Sequence, residues 1–272
     1  MLPSSQAQKV ERLRKAGMQH VRGLLARGQS KRPLLVSGVQ RSGTNMLLGV
    51  LEASVETSVF REGDPRAFDN YALRTVDEVQ RLIAASPAPT VVVKALLEAG
   101  RLSELMAALD ASAIWVFRGY QDMINSYVRT WPGGRNRLDQ IVAGEALDDW
   151  RAQGLTPATL EVVRRHYDPS MSDADAIALF WVYRNQMFFD QGLAERTDVL
   201  PVFYDDLVAR PTVVSRIICQ FAHITYTPKL IRSVKSSSVR KNEPPTLRPE
   251  IAGLCDEMLA RLQGVYDPIF RA

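Results

Sequence analysis

The segment Gly38-Val39-Gln40-Arg41-Ser42-Gly43-Thr44-Asn45 places two glycines, a cation and two hydroxyls between an apolar run and a helical pattern. A tight loop of this kind aims backbone N–H groups at the start of a helix. The first-turn N–H groups there lack intrahelical partners and the helix dipole is positive, so the spot attracts anions. The chemistry this implies is the binding of a phosphate-like group. Two further segments offer charge for the same purpose. Arg118 follows the apolar run Ala113–Phe117, and Ser126 comes eight residues later in a helical pattern. A strand-end Arg grips a phosphate bidentately, and a hydroxyl two helical turns on adds a contact. The stretch Ser236-Ser237-Ser238-Val239-Arg240-Lys241-Asn242-Glu243-Pro244-Pro245 reads as a basic loop. Taken singly, Arg118 reads as half of a surface ion pair and the basic loop as a solvated turn. Taken together, the three segments describe one anion site with a lid.

Gly38 and Gly43 have the spacing of the nucleotide-triphosphate loop G-x-x-x-x-G-K-[ST]. Thr44 stands where that motif has its Lys, and the cation comes earlier, at Arg41. A P-loop kinase or other nucleotide triphosphatase would also want an acidic residue ending a strand for Mg²⁺. That reading, and a non-catalytic nucleotide-binding protein on the same scaffold, stay as alternatives.

The ordered set of motifs resembles the sulfotransferases that use 3′-phosphoadenosine 5′-phosphosulfate (PAPS). Arg41-Ser42-Gly43-Thr44-Asn45 is similar to the family's 5′-phosphosulfate loop, and Arg118 with Ser126 is similar to its 3′-phosphate signature. Arg240-Lys241 matches the family's C-terminal donor contact, with Asn242 in place of a glycine. Tyr204, in Phe203-Tyr204-Asp205-Asp206-Leu207, resembles the residue near the adenine, and Phe180-Trp181 in the preceding helix is similar as well. The resemblance runs from Leu34 to Pro245. It implies PAPS as co-substrate, no metal, and a small-molecule, lipid or carbohydrate hydroxyl (less readily an amine) as acceptor.

Sulfuryl transfer needs a cation where the leaving phosphate gains charge and a base for the acceptor proton. Arg41 and then Lys94, which ends the run Val91–Val93, are the candidate cations. Family members acting on phenols and steroids carry a His two residues after that Lys, and this chain has Leu96. Glu62 is therefore the first candidate base, by analogy with branches that use a carboxylate after the second strand. Asp64 and Glu98 stand behind it, and His20, His166 and His223 are weaker. A surface pairing of Glu62 with Arg61 or Arg66 is the plain alternative.

The elements that must position these residues alternate. Leu34–Ser37, Thr57–Phe60, Thr90–Lys94, Ala113–Phe117 and Val199–Phe203 read as strands with helices between, an α/β fold of three layers around a mostly parallel five-stranded sheet. The gap of about eighty residues before the last strand exceeds what one crossover helix needs. The expectation is one domain with a helical insertion at about 131–172 and a donor loop at 236–245. Asp205 or Asp206 reads as the cap of the following helix, with Pro211 near its start. Phe68, Tyr71, Trp131 and Trp150 are candidate acceptor-pocket aromatics, with core packing the common alternative.

Composition agrees. The 272 residues are 46% hydrophobic and 24% charged with net charge +4, ordinary for a globular domain. No concentrated basic stripe speaks for nucleic acid. Two cysteines are too few for a disulfide framework, and no window approaches 18 apolar residues, so the expectation is a cytoplasmic protein without a transmembrane segment. Residues 8–27 form a basic amphipathic pattern, read as a surface helix packed on its own domain. The oligomeric state is open, a homodimer included.

Overall fold

A computed structural model describes residues 14–15, 17–19, 30–234 and 243–271. Its centre is a five-stranded sheet of β1 (Arg32–Gly38), β2 (Thr57–Phe60), β5 (Thr90–Lys94), β6 (Ser112–Phe117) and β7 (Val199–Phe203). The strands lie in the order β2-β5-β1-β6-β7, with every pairing parallel. A short antiparallel hairpin of β3 (Phe68–Asp69) and β4 (Ala72–Leu73) stands apart from it. The hydrophobic runs follow from the architecture, because a parallel strand covered on both faces has no polar side to show. Leu35, Val36, Val91, Val92 and Val93 are fully buried, each stabilising the fold by roughly 1.5–3 kcal/mol of transfer free energy.

Helices fill the connections: α1 (Thr44–Glu52), α2 (Val76–Ala85), α3 (Leu102–Leu109), α4 (Tyr120–Thr130), α5 (Gly134–Ala143), α6 (Pro157–His166), α7 (Asp173–Asp190), α8 (Tyr204–Ala209), α9 (Pro211–Phe221) and α10 (Pro249–Phe270). α7 starts at a capping box in which Ser172 Oγ accepts from the Asp175 amide and Asp175 accepts back from the Ser172 amide. Its residues Ala176 to Asn185 are all buried, so it is an interior helix rather than an amphipathic surface one.

β1 lies at the middle of the sheet. The chain runs from it to β2 and β5 on one side, then crosses to β6 and β7 on the other. In open α/β sheets a crevice opens outside the strands' carboxyl ends where the order reverses, and ligands bind there. The expected strands Thr57–Phe60, Thr90–Lys94 and Val199–Phe203 have the observed bounds, while β1 and β6 start one or two residues earlier than their apolar runs.

Two expectations need correction. Neither Asp205 nor Asp206 caps a helix: α8 begins at Tyr204 with Phe203 as its N-cap, and Pro211 opens a separate helix. The aspartates bridge elements instead. Asp205 Oδ2 accepts from the Gly119 amide (3.1 Å), and Asp206 pairs with Arg210 and accepts from the Tyr266 hydroxyl. His223, in a stretch whose sequence pattern reads as helical, sits just beyond α9 at φ 52°.

Cys219 and Cys255 are buried free thiols. Among the described residues no helix is long and apolar enough to cross a membrane. Residues 236–242 of the expected basic loop, Arg240 and Lys241 among them, lie outside the described residues, as do His20 and most of the 8–27 pattern.

Candidate active site

The loop after β1 turns sharply before α1. Arg41 takes a left-handed conformation at φ 67°, which costs a residue with a Cβ about 1–2 kcal/mol. The Ser42 amide donates back to Val39 O (3.1 Å). Gly43 is the N-cap of α1 at φ 92°. A Cβ at Gly43 would lie 1.9 Å from the Tyr204 ring, so only glycine fits. A glycine cap also leaves the first-turn N–H groups uncovered by any side chain. Next to them, Ser42 Oγ and both side-chain polar atoms of Gln40 are buried with no hydrogen-bond partner among the described residues. Buried polar groups ordinarily have partners. Their orphaned state beside a bare helix N-terminus fits an anionic ligand supplied from outside.

A side chain follows the carboxyl end of every strand of the sheet into one cavity of about 850 Å³: Arg41 after β1, Glu62 after β2, Lys94 on β5, Arg118 after β6 and Tyr204 after β7. Thr44, Asn45 and Ser126 line it too. Of the first-choice donor and catalytic candidates within the described chain, Ser42 alone does not line the cavity, although its buried hydroxyl lies in the same loop; the reserve candidates Asp64, Glu98, His166 and His223 do not line it either.

The cations cluster. Arg41 Nε donates to Ser126 Oγ (2.9 Å), and its guanidinium lies 5.5 Å from the Trp131 ring centre. Arg118 Nη1 donates to Arg41 O (3.4 Å), Nη2 pairs with Asp122 (3.3 Å), and the guanidinium sits 4.8 Å over the Tyr204 ring. Trp181 Nε1 donates to Arg118 O (3.2 Å), so the Phe180-Trp181 pair anchors the end of β6 from α7. Burial first, then the nearby positive charges of Arg118 and Arg129, push the Arg41 pKa down. Crowded guanidiniums of this kind repel one another until an anion arrives.

On the other flank Lys94, almost wholly buried, donates from Nζ to Glu62 Oε2 (2.5 Å) and to Asn45 Oδ1 (3.3 Å). The alternative surface pairing of Glu62 with Arg61 or Arg66 does not form. Arg61 pairs with Glu52 instead, and Arg66 with Asp64. Asp64 is thereby occupied outside the cavity. Glu98 lies behind the cavity wall, buried, with burial raising its carboxyl above the usual range. His166 ends α6 and lies outside the cavity.

Tyr71, Trp131 and Trp150 line the cavity with Leu96 and Leu97, while Phe68 is core. Sequence reasoning missed Gln40, Asp122 and Arg129, which also line it. Asp122 and Arg129 precede and follow Ser126 by four and three residues, spacings that share a face of α4 and were available as a signal.

No protein-family model and no curated protein matches the chain. Solved structures do. The sulfotransferase domain from the curacin biosynthetic pathway aligns with a TM-score of 0.56 at 14% identity, covering 85% of this chain and 99% of that one. The sulfotransferase domain of a Synechococcus olefin synthase aligns at 0.50 and 14% identity, covering 86% and 96%. A sulfotransferase from Alicyclobacillus acidocaldarius aligns at 0.50 and 14%, covering 89% and 96%. Likeness at this identity is one of fold, and the chain carries the P-loop-like α/β fold of the sulfotransferases.

Proposed function

We propose that the chain is a PAPS-dependent sulfotransferase acting on a hydroxyl of a small-molecule, lipid or carbohydrate acceptor. The observation that carries this reading is the convergence of Arg41, Lys94 and Arg118, from three strand ends, around the uncovered N-terminus of α1. A donor with phosphate groups at both ends of its ribose fits that spread of charge. The Arg41–Asn45 loop would hold the 5′-phosphosulfate. Arg118 and Ser126 would hold the 3′-phosphate, joined by Arg240 and Lys241 of the loop outside the described residues. Tyr204 would support the adenosine side. Trp131–Ser172, which includes α5 and α6, would be the insertion that shapes the acceptor side of a single domain.

PAPS supplies an activated sulfuryl group. The acceptor oxygen forms a bond to sulfur, and the bridging S–O bond breaks with its electron pair going to the 5′-phosphate. Glu62 takes the hydroxyl proton. Lys94 and Arg41 stabilise the charge that grows on the leaving oxygen, an interaction stronger in the transition state than before it. In-line displacement puts the acceptor and leaving oxygens on opposite sides of sulfur, so the paired Glu62 and Lys94 would flank the reacting centre, the carboxylate toward the acceptor oxygen and the ammonium toward the leaving oxygen. Thr44 in place of the P-loop Lys removes the usual contact to a triphosphate, which weighs against the kinase reading.

The test is transfer of labelled sulfate from PAPS to a panel of a phenol, a fatty alcohol and a sugar. The wild type should label at least one. Glu62→Gln should slow transfer about 100- to 10,000-fold, the range for a lost general base, with affinity for the product 3′-phosphoadenosine 5′-phosphate (PAP) unchanged. Undiminished transfer by Glu62→Gln would remove it as base, and phosphoryl transfer from ATP would overturn the reading.

A further inference from the structure

Two walls of the cavity are mounted on one short turn. Leu96 to Gly100 follows β5 directly and begins two residues after Lys94. Arg184 of α7, fully buried, reaches the turn from below. Its Nη2 donates to Leu96 O (3.0 Å) and its Nη1 to Trp150 O (3.1 Å), and its guanidinium lies 5.4 Å from the Trp150 ring centre. Burial lowers its pKa to about 10, which leaves it protonated at neutral pH. A buried guanidinium is expensive to desolvate, and its planar fork suits the bridging of two carbonyls in a way Lys cannot copy. The 150–154 stretch also rests on the turn backbone to backbone. A Cβ at Gly100 would lie 1.9 Å from Gln153 O, and one at Gly154 2.2 Å from Gly100 O.

The hairpin hangs from the same turn. Glu98 Oε1 accepts from the Leu73 amide (2.8 Å), and Oε2 is buried with no partner among the described residues. The hairpin tip is Asn70-Tyr71, both at positive φ, and it holds Tyr71, 63% exposed, at the cavity mouth. Gln191 steadies the turn from the end of α7, donating to Ala99 O (2.8 Å) and accepting from the Ser103 amide (3.0 Å).

We infer that the Leu96–Gly100 turn registers the acceptor half of the cavity to the Lys94–Glu62 pair, with Arg184 and Glu98 as its positioning residues. This rests on the sulfuryl-transfer reading. Glu98 holds the wall carrying Tyr71, and Arg184 holds the wall carrying Trp150. The described donor contacts sit on the loop after β1, at the end of β6, on α4 and at the start of α8, none of them on the turn, so the two halves are separable by mutation.

Hydrogen exchange of the purified protein tests this, together with PAP titration and turnover of PAPS with 2-naphthol as the acceptor probe. In Glu98→Ala, amides of residues 68–74 should exchange about tenfold faster or more, as expected for local opening. Glu98→Gln should restore wild-type exchange, because its amide oxygen still accepts from Leu73. Arg184→Lys should loosen residues 146–154 in the same way. PAP affinity should stay within about twofold in each variant, while the KM for 2-naphthol in Glu98→Ala rises about fivefold or more with little change in kcat. Unchanged exchange in both segments, or PAP affinity falling in step with the loosening, would overturn the inference. Faster exchange in Glu98→Ala without a rise in the KM for 2-naphthol would also overturn it, leaving the turn a merely structural mount. Failure of the wild type to bind PAP would sink the donor assignment alone, since the exchange differences read the mount without a ligand.

Discussion

Arg118→Met should weaken PAP binding by about 10- to 150-fold, the loss of about 1.5–3 kcal/mol that a charge-assisted hydrogen bond carries. Arg118 is held for the task from several directions. Trp181 fixes its carbonyl, the Tyr204 ring supports its guanidinium, and Asp122 and Arg41 O orient its nitrogens. Little side-chain entropy is then left to lose on binding. Met fills similar volume, so the fold should survive. Asp122 would lose a cationic partner and could repel the phosphate by itself, which makes the double variant Arg118→Met with Asp122→Asn the necessary control. Arg118→Lys should fall between, keeping the charge and losing the fork. Calorimetric titration reads all of these, and wild-type affinity in both Met variants would contradict the placement of the 3′-phosphate.

Lys94→Met should cut kcat about 100- to 1,000-fold, the cost of removing one preorganised group from a developing negative charge, while PAP affinity changes far less. The split matters more than the size. An ordinary structural lysine would show its loss in stability, whereas a cation facing the leaving oxygen shows it in kcat. The nearly complete burial of Lys94 strengthens its field, because little water screens it. Its hydrogen bonds to Glu62 and Asn45 both lie at the cavity, so its charge is fixed there. Single-turnover rates with PAPS, beside PAP titration, measure the two quantities. An equal loss in both would make Lys94 a donor-binding residue instead.

The four strands other than the edge strand β2 were legible because each carries an apolar run of about the expected length between polar turns, the pattern that burial on both faces leaves. Arg41, Lys94 and Arg118 were legible for a related reason: each stands where an apolar run stops, and strand ends in such sheets face the ligand. The hairpin was not legible. Its tip is Asn70-Tyr71, and a Tyr at positive φ has no local preference that would announce a turn. Arg184 was hidden differently. In Phe180–Phe189 it reads as the polar residue of a helix face, and only the tertiary structure shows that the helix is buried all round there. The partners of Glu62 were equally out of reach, since nothing local in Arg61-Glu62 says that Arg61 goes to Glu52 and Glu62 to a lysine on another strand. The aspartates after β7 misled because acidic residues in a first turn suit the dipole whether or not one of them is the cap.

The measurement that tests the central claim most directly is calorimetric titration of the wild-type protein with PAP beside ATP–Mg²⁺. Binding of PAP in the micromolar range, roughly −8 kcal/mol, with ATP–Mg²⁺ much weaker, is the result this account predicts. Binding of ATP–Mg²⁺ with no binding of PAP would contradict it and return the cavity to the kinase reading.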